Sequence, residues 1–220
     1  MDKPVLWAQR GPMAVPWQLG DLAAMDEAHV WLLGWDAASP DAGVPRPIGR
    51  TIACALAGTA KVGFLRAGTR HAGPAAWVRD DDGDCARMAS GQSALRTVIG
   101  RLRGHGAAIT LVCSRRPEAI AEMFEAPAFP WWLQSQVLLL SAPDAPPPDV
   151  TPAQALALLE PGWAVRAAAL RSRGVLAVAR PAVDGDALGL LALDEVFAER
   201  LLASLATQAQ AAGFAWSRAP

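Results

Sequence analysis

Two adjacent arginines follow one of the apolar strands that the sequence predicts. Arg115 and Arg116 follow the run 107–113 after one intervening residue, Ser114, at the carboxyl end of that strand. Ligands of open α/β sheets bind in the crevice outside such strand ends, and two guanidinium groups there can form forked hydrogen bonds with phosphate or carboxylate. The pair therefore predicts a site for a small molecule or nucleotide, with an exposed helix entry as the alternative.

Asp36 and Arg46 are two further candidates for ligand binding. Asp36 follows the apolar run 29–35, which is typical of a buried strand. Arg46 is the only cation in the loop 37–47, where a nucleotide-binding fold would place the phosphates. Together with the arginine pair they are the residues that we predict to bind a ligand, and we predict no catalytic residue.

The spacing of Gly58 and Gly63 matches that of the two glycines in a phosphate-binding loop. Phe64 and Leu65, however, stand where that loop needs a lysine and then a serine or threonine to hold phosphate and magnesium. We therefore predict no ATP hydrolysis and no cofactor.

No metal site is predicted either. The three cysteines are widely spaced, the three histidines form no H-x-x-x-H pair, and the acidic run 80–84 lacks the bidentate glutamate of a calcium loop. Cys113 and Ser114 end a strand, where a nucleophile could lie, but no G-x-S-x-G or G-x-C-x-G turn surrounds them. A buried thiol is the favoured interpretation of Cys113.

Trp131 and Trp132 are predicted to contact a partner protein. They follow Pro130 directly before a predicted strand, and such a cluster is either a lid on the core or an anchor for another chain. Nine tryptophans are more than one core of this size needs, so we expect packing surfaces beyond a single core.

Phe197 and Leu201 are the other two residues predicted to contact a partner. They belong to an i, i+4 apolar stripe on a helix that Asp194 caps and Gly213 ends, and this helix is predicted to pack on one face of the sheet. The same helix is predicted to take part in association with a partner or a second copy.

The elements that must position these residues alternate between strand and helix. The predicted order is a strand at 29–35, a helix at 48–56, strands at 61–66 and 75–79, a helix at 95–102, a strand at 107–113, a helix at 117–124 and a strand at 134–141. Because helical crossovers connect parallel strands, we predict an α/β fold with a mostly parallel sheet, helices on both faces and a degenerate P-loop or receiver-like architecture.

The remaining segments complete a single predicted domain of 220 residues. Residues 1–27 are predicted to form an irregular arm with a short helix at 19–25, and 143–151 a proline-rich connector. A helix begins at Thr151 with a capping box. The stretches 163–170 and 175–180 alternate around a loop with glycine, which predicts an antiparallel hairpin near the carboxyl terminus.

Composition narrows the possible partners. A formal net charge of −1 gives no field that would attract nucleic acid or acidic lipid, so nucleic acid binding is not expected. No apolar stretch is long enough to span a membrane. The first residues show no basic segment followed by an apolar one, so we expect no secretory signal. We expect a cytoplasmic protein.

Residues 29–67 resemble the start of the BcsE-type accessory proteins of bacterial cellulose secretion. The resemblance rests on Val30 and Trp31 opening a strand, Asp36 after it, 51–53 (TIA) in the next helix and 60–62 (AKV) in the next strand. It implies a degenerate NTPase-like domain that works by protein contacts at a membrane-associated secretion machine. The R-x-G-D motif with which that family binds cyclic di-GMP is absent, so dinucleotide binding is not implied.

The sequence therefore predicts a non-catalytic accessory or scaffold protein that forms homo- or hetero-oligomers, and the resemblance implies a role in bacterial cellulose or exopolysaccharide secretion. The order of elements also resembles RecA-like accessory proteins without an ATP motif, of the ImuA and SulA types. A small-molecule-binding enzyme that uses Arg115 and Arg116 is the remaining alternative.

Overall fold

The computed structural model describes residues 5–11, 29–35, 46–68, 108–125, 136–146, 148, 150, 158, 166–181 and 187–219. These ranges contain strands and helices in mixed order. The strands are β1 Val5–Arg10, β2 His29–Trp35, β3 Lys61–Gly68, β4 Ala108–Ser114, β5 Gln136–Ser141, β6 Val175–Pro181, β7 Ala187–Ala192 and β8 Ala215–Ala219, and the helices are α1 Arg46–Thr59, α2 Pro117–Glu125, α3 Ala167–Arg171 and α4 Glu195–Ala211.

The eight described strands form one open mixed sheet in the order β4-β3-β5-β6-β7-β2-β1-β8. Six of its neighbouring pairs are antiparallel, and β1 with β8 is the parallel one. The α/β class is confirmed, whereas the mostly parallel sheet was a wrong prediction. Helix α1 does connect two strands that run in the same direction, β2 and β3, but β5, β6 and β7 lie between them.

The wrong strand orientation has a physical cause in how the sheet is covered. All six residues of β7 are buried, as are Val137 to Leu140 of β5. Unbroken apolar runs are usual in parallel sheets because helices cover both faces of those sheets. Here both faces of a mostly antiparallel sheet are covered, so the strands carry the same pattern.

Two hydrophobic clusters lie on the two faces of the sheet. One joins side chains of α1, α2 and α4 to the sheet, and we call this side the α4 face. The other contains Ala167 and Leu170 of α3 together with Val150 and Leu158, and we call this side the α3 face. On the α4 face, α1 packs against both α2 and α4.

The antiparallel strand pair near the carboxyl terminus lies later in the chain than the sequence predicted. Residues 163–170 were assigned to its first strand, but Ala167 and Leu170 point to the core three residues apart, and 167–171 form α3. The turn after α3 contains Gly174, whose φ of 77° lies in the left-handed region. The chain then enters β6, which pairs antiparallel with β7. Strand β6 lies inside the sheet, not at its edge.

The first strand of the chain was missed. Residues 1–27 were predicted to be an irregular arm, yet β1 pairs with β2 on one side and with β8 on the other. Alternation in this segment was the signal, because Leu6 and Ala8 are buried while Trp7 and Gln9 between them are half-buried. The flanking prolines concealed it.

The prediction for the last helix is confirmed. Asp194 caps α4, and its Oδ1 accepts a hydrogen bond from the backbone N–H of Phe197 at 2.6 Å. The helix ends at Ala211, Gly213 follows two residues later with a φ of 80°, and the N–H of Phe214 donates to the carbonyl of Ala209 at 2.8 Å. This turn directs the chain straight into β8.

Several predictions fall outside the described residues. These are the helix at 19–25, the strand at 75–79, the acidic run 80–84, the helix at 95–102 and, apart from Leu158, the helix that begins at Thr151.

Candidate functional site

Three strand ends meet where the arginine pair was predicted to bind a ligand. Strand β3 begins at Lys61, and its antiparallel neighbours β4 and β5 end beside it at Ser114 and Ser141. Arg115 and Arg116 therefore lie at the same edge of the sheet as Lys61. The sequence indicated the arginines but not the lysine, because in the predicted parallel sheet the start of β3 and the end of β4 would lie at opposite ends of the strands.

The cations at this edge hold a turn of the chain. The ammonium of Lys61, which is only 7% exposed, donates to the carbonyl of Ala145 at 2.7 Å. Nη1 of Arg115 donates to Oδ1 of Asp144 at 3.0 Å. Lys61 of β3 and Arg115, which follows β4, thus bind two neighbouring residues of the turn after β5. Both cations have a structural role here.

Arg46 lies far from this edge. It begins α1, which runs for 14 residues and ends next to Lys61. With a rise of about 1.5 Å per residue, roughly 20 Å separate Arg46 from the lysine. The structure therefore does not bring Arg46 together with Arg115 and Arg116. Asp36 lies outside the described residues.

The predicted thiol and metal chemistry can be compared with the described positions. Cys113 is 1% exposed, so it is a core side chain. The hydroxyl of Ser114 accepts a hydrogen bond from the backbone N–H of Arg116 at 3.1 Å, which helps to begin α2. Among the side chains that the structure describes, no three of His, Cys, Asp and Glu lie close enough to share a metal ion.

Phe197 and Leu201 are not surface residues. Both are 0% exposed and pack in the cluster on the α4 face of the sheet. The apolar stripe that led to the predicted partner contact attaches α4 to the sheet, which leaves neither side chain at the described surface. Trp131 and Trp132 lie outside the described ranges.

A charged cluster that the sequence did not reveal surrounds Trp31. The tryptophan is 2% exposed on β2, and the guanidinium carbons of Arg218 and Arg10 lie 4.7 and 5.8 Å from the centroid of its ring. Arginine over a tryptophan face is the favourable cation–π arrangement. In the register of β1 with β2, Arg10 lies directly opposite Trp31. In the register of β1 with β8, Arg218 lies opposite Ala8 of β1. Both arginines therefore point to the α4 face.

Two glutamates of α4 complete this Trp31 cluster. Glu199 accepts two hydrogen bonds from Arg218, at 2.8 and 2.7 Å, in the forked geometry that arginine forms with carboxylate. Glu195, one turn earlier, accepts a hydrogen bond from Arg10 at 3.1 Å. Arg10 also lies 2.8 Å from Nδ1 of His29. The cluster binds the last two strands of the sheet, β1 and β8, to the start of α4.

The ion pair of Glu199 and Arg218 shifts both acid–base equilibria. The hydrogen bond from Arg218 lowers the pKa of Glu199 below its ordinary value, against an opposing effect of burial. The same hydrogen bond raises the pKa of Arg218. Because the folded carboxyl has the lower pKa, its stabilising contribution is complete above the pKa of the unfolded chain and is lost as pH falls through the folded value.

We expect Glu199→Gln to lower the free energy of unfolding at pH 7 by about 0.2–1 kcal/mol, since the pair is solvent-exposed. The difference from the wild type should be smaller at a second, acidic pH, because the carboxyl of Glu199 loses its charge as the pH falls through its lowered folded pKa. Urea unfolding at the two pH values measures both quantities. A double-mutant cycle with Arg218→Gln isolates the pair, and a loss of equal size at both pH values would contradict the assignment.

Strand β8 forms one edge of the described sheet. It pairs with β1 on its inner side, and no other described strand pairs with its outer side. Trp216 packs partly against the cluster on the α4 face, and Arg218 points to that face as well. Ser217 points to the other face and is exposed. The sequence offers little signal for this strand, because its five residues do not alternate between buried and exposed positions.

Comparison of the chain with protein-family models, with curated proteins and with solved structures finds no match. None of the helices in the described ranges has the length and apolar character that crossing a membrane requires.

Proposed function

We propose that this chain is an accessory protein that acts by binding another protein chain at the outer side of β8. The supporting observation is that β8 is an outermost strand among the described ones, with exposed side chains at Ser217 and Arg218. The outer backbone N–H and C=O groups of an edge strand are a template for one more strand. Addition of a strand is a common way for a sheet to bind an extended peptide, with affinity from main-chain hydrogen bonds.

The Trp31 cluster connects β8 to α4 and β2. Arg218 is held both by Glu199 and by the ring of Trp31, and β8 is also held by its pairing with β1. A segment that is already ordered loses little conformational entropy when a partner binds. A short edge strand of five residues would otherwise fray, so the cluster supports the use of β8 as a binding edge.

Side chains on β8 would select the partner. Alternate residues of an added strand lie next to Trp216 and Arg218 on one face and next to Ser217 on the other. An extended segment with an aromatic or acidic side chain on the first of these faces fits the tryptophan and arginine. A role of this contact in cellulose secretion, as the BcsE-type resemblance implies, is part of the proposal and is supported only by residues 29–67.

Site-specific photo-crosslinking in the native host tests the proposal. A photoreactive amino acid is placed at Ser217 or at Ala219, which share a face, and at Thr207 as a control on the exposed side of α4. We expect one protein adduct from 217 and from 219, and none from 207. Strand addition further requires that moving the probe by two residues moves the attachment point on the partner by two residues.

Two results would contradict strand addition at β8. One is the absence of an adduct from both β8 positions. The other is an adduct whose attachment point does not follow the two-residue step, because that pattern indicates contact without strand register.

A further inference from the structure

We propose that the chain that occupies the outer side of β8 is β8 of a second copy, paired antiparallel about a two-fold axis at Ser217. This inference rests on the function proposed above and names its partner. In this register Ser217 faces the Ser217 of the second copy, Ala215 faces Ala219, and Trp216 faces Arg218. All five residues of the strand are paired.

The pairing repeats a contact that the fold already makes. Within one chain, the guanidinium of Arg218 lies over the ring of Trp31, and Arg10 lies over the same ring from β1. Trp216 and Arg218 point to the same face of β8, so in this register Trp216 of each copy lies opposite Arg218 of the other, which stays bound to its own Glu199. Side chains directly opposite each other in an antiparallel pair have Cβ atoms about 5 Å apart, within reach of an arginine and an indole ring. The two-fold axis produces this contact twice.

Neighbouring registers are less favourable. If the two-fold axis lay at Arg218, Arg218 would be opposite the Arg218 of the second copy. Like charges directly opposite each other destabilise a strand pair. If the axis lay at Trp216, Trp216 would be opposite the Trp216 of the second copy, and Arg218 would lie beyond the end of the partner strand. The pattern of β8 therefore selects the register centred on Ser217.

Charge also permits a second copy. The net charge of the chain is −1, so two copies do not repel each other strongly as whole molecules. The two-fold axis of this pairing is perpendicular to the sheet, so both α4 helices lie on the same face of the combined sheet. Trp216 and Arg218 of each copy then lie on that face, and Glu199 of each chain continues to neutralise its own Arg218.

The test compares variants of the full chain by sedimentation velocity over a range of concentrations. Ser217 is exposed, so Ser217→Arg leaves the fold intact and places two arginines face to face at the axis, whereas Ser217→Ala is the matched control. We expect a dimer for the wild type and for Ser217→Ala. For Ser217→Arg we expect the dimer dissociation constant to rise by about tenfold or more, because like charges oppose each other.

A second pair of variants tests the register itself. Trp216→Lys and Trp216→Glu lose the same indole packing, and circular dichroism checks that both are folded. Lysine at this position opposes Arg218 of the second copy, whereas glutamate attracts it. We expect Trp216→Glu to retain the dimer and Trp216→Lys to weaken it. Equal weakening by both, with no effect of Ser217→Arg, would overturn the register.

The results also separate this inference from the proposed function. A wild-type chain that stays monomeric up to about 1 mM overturns self-pairing, since that dissociation constant corresponds to very weak association. If crosslinks from 217 and 219 then attach in register to a different protein, the proposed function stands without self-pairing. A monomer that also gives no crosslink overturns both.

Discussion

We expect Phe197→Ala to lower the free energy of unfolding by about 3–5 kcal/mol, among the largest effects of any single substitution in this chain. Phe197 is 0% exposed where α4 meets the sheet, and the substitution leaves a cavity that the surrounding side chains fill only in part. Equilibrium unfolding in guanidinium chloride measures the loss. The result matters because it decides whether this side chain belongs to the core or to a contact surface.

The adjacent residue supplies the control. Val196 is 68% exposed on the same turn of α4, so Val196→Ala should change stability by less than about 0.5 kcal/mol. If Phe197→Ala were as mild as Val196→Ala while association with a partner was lost, Phe197 would be a contact residue and the packing of α4 described above would be wrong.

Gly34→Ala is the second substitution for which we expect a large effect, a loss of about 1–3 kcal/mol. Gly34 on β2 lies opposite Trp7 on β1, and the indole ring of Trp7 covers the glycine. A Cβ added at position 34 would overlap Cζ2 and Cε2 of that ring, so the tryptophan would have to move. Thermal or chemical unfolding measures the cost.

Two further variants show whether the tryptophan is the cause. In a Trp7→Ala background the ring is gone, so adding Gly34→Ala should cost much less than it does in the wild type. Gly58→Ala in α1 is the matched control, because its Cβ would lie 3.9 Å from Oγ of Ser204, and it should stabilise the helix by up to about 1 kcal/mol. Equal losses from Gly34→Ala with and without Trp7 would contradict the close approach.

The positions of most central elements could be predicted from local pattern. The apolar runs of β2, β3 and β5 and the cap and stop of α4 all lie where the sequence indicates them. These features depend on neighbours within a few residues in the chain. The order of strands does not, because β2 and β3 are consecutive strands and yet three others separate them.

The predicted ligand site shows the same difference between what local pattern predicts and what depends on the arrangement of strands. Arg115 and Arg116 do follow a strand at the edge of the sheet, as predicted, but Arg46 lies at the far end of α1 because the helix returns to that edge only at its last residues. The proximity of Lys61 to Arg115 depends on which strands are neighbours. The sequence could not supply that information once the sheet was taken to be parallel.

The Trp31 cluster was concealed for a related reason. Its members come from β1, β2, β8 and α4, at positions as far apart as Arg10 and Arg218. Nothing in their local spacing distinguishes them from scattered surface charges. Strand β8 has only five residues and no alternation of buried and exposed positions, so its sequence does not predict a strand without knowledge of its neighbour β1.

The central claim is that one side of β8 is bonded to β1 and the other side is open to receive a strand. Amide hydrogen exchange, measured residue by residue in dilute protein, tests it directly. Because successive N–H groups of a strand point to opposite sides, we expect slow and fast amides to alternate along 215–219, and we expect the fast set to become slow when a second strand binds. Uniform protection of all β8 amides in dilute monomer, or uniform rapid exchange that no partner and no concentration of the chain slows, would contradict the account.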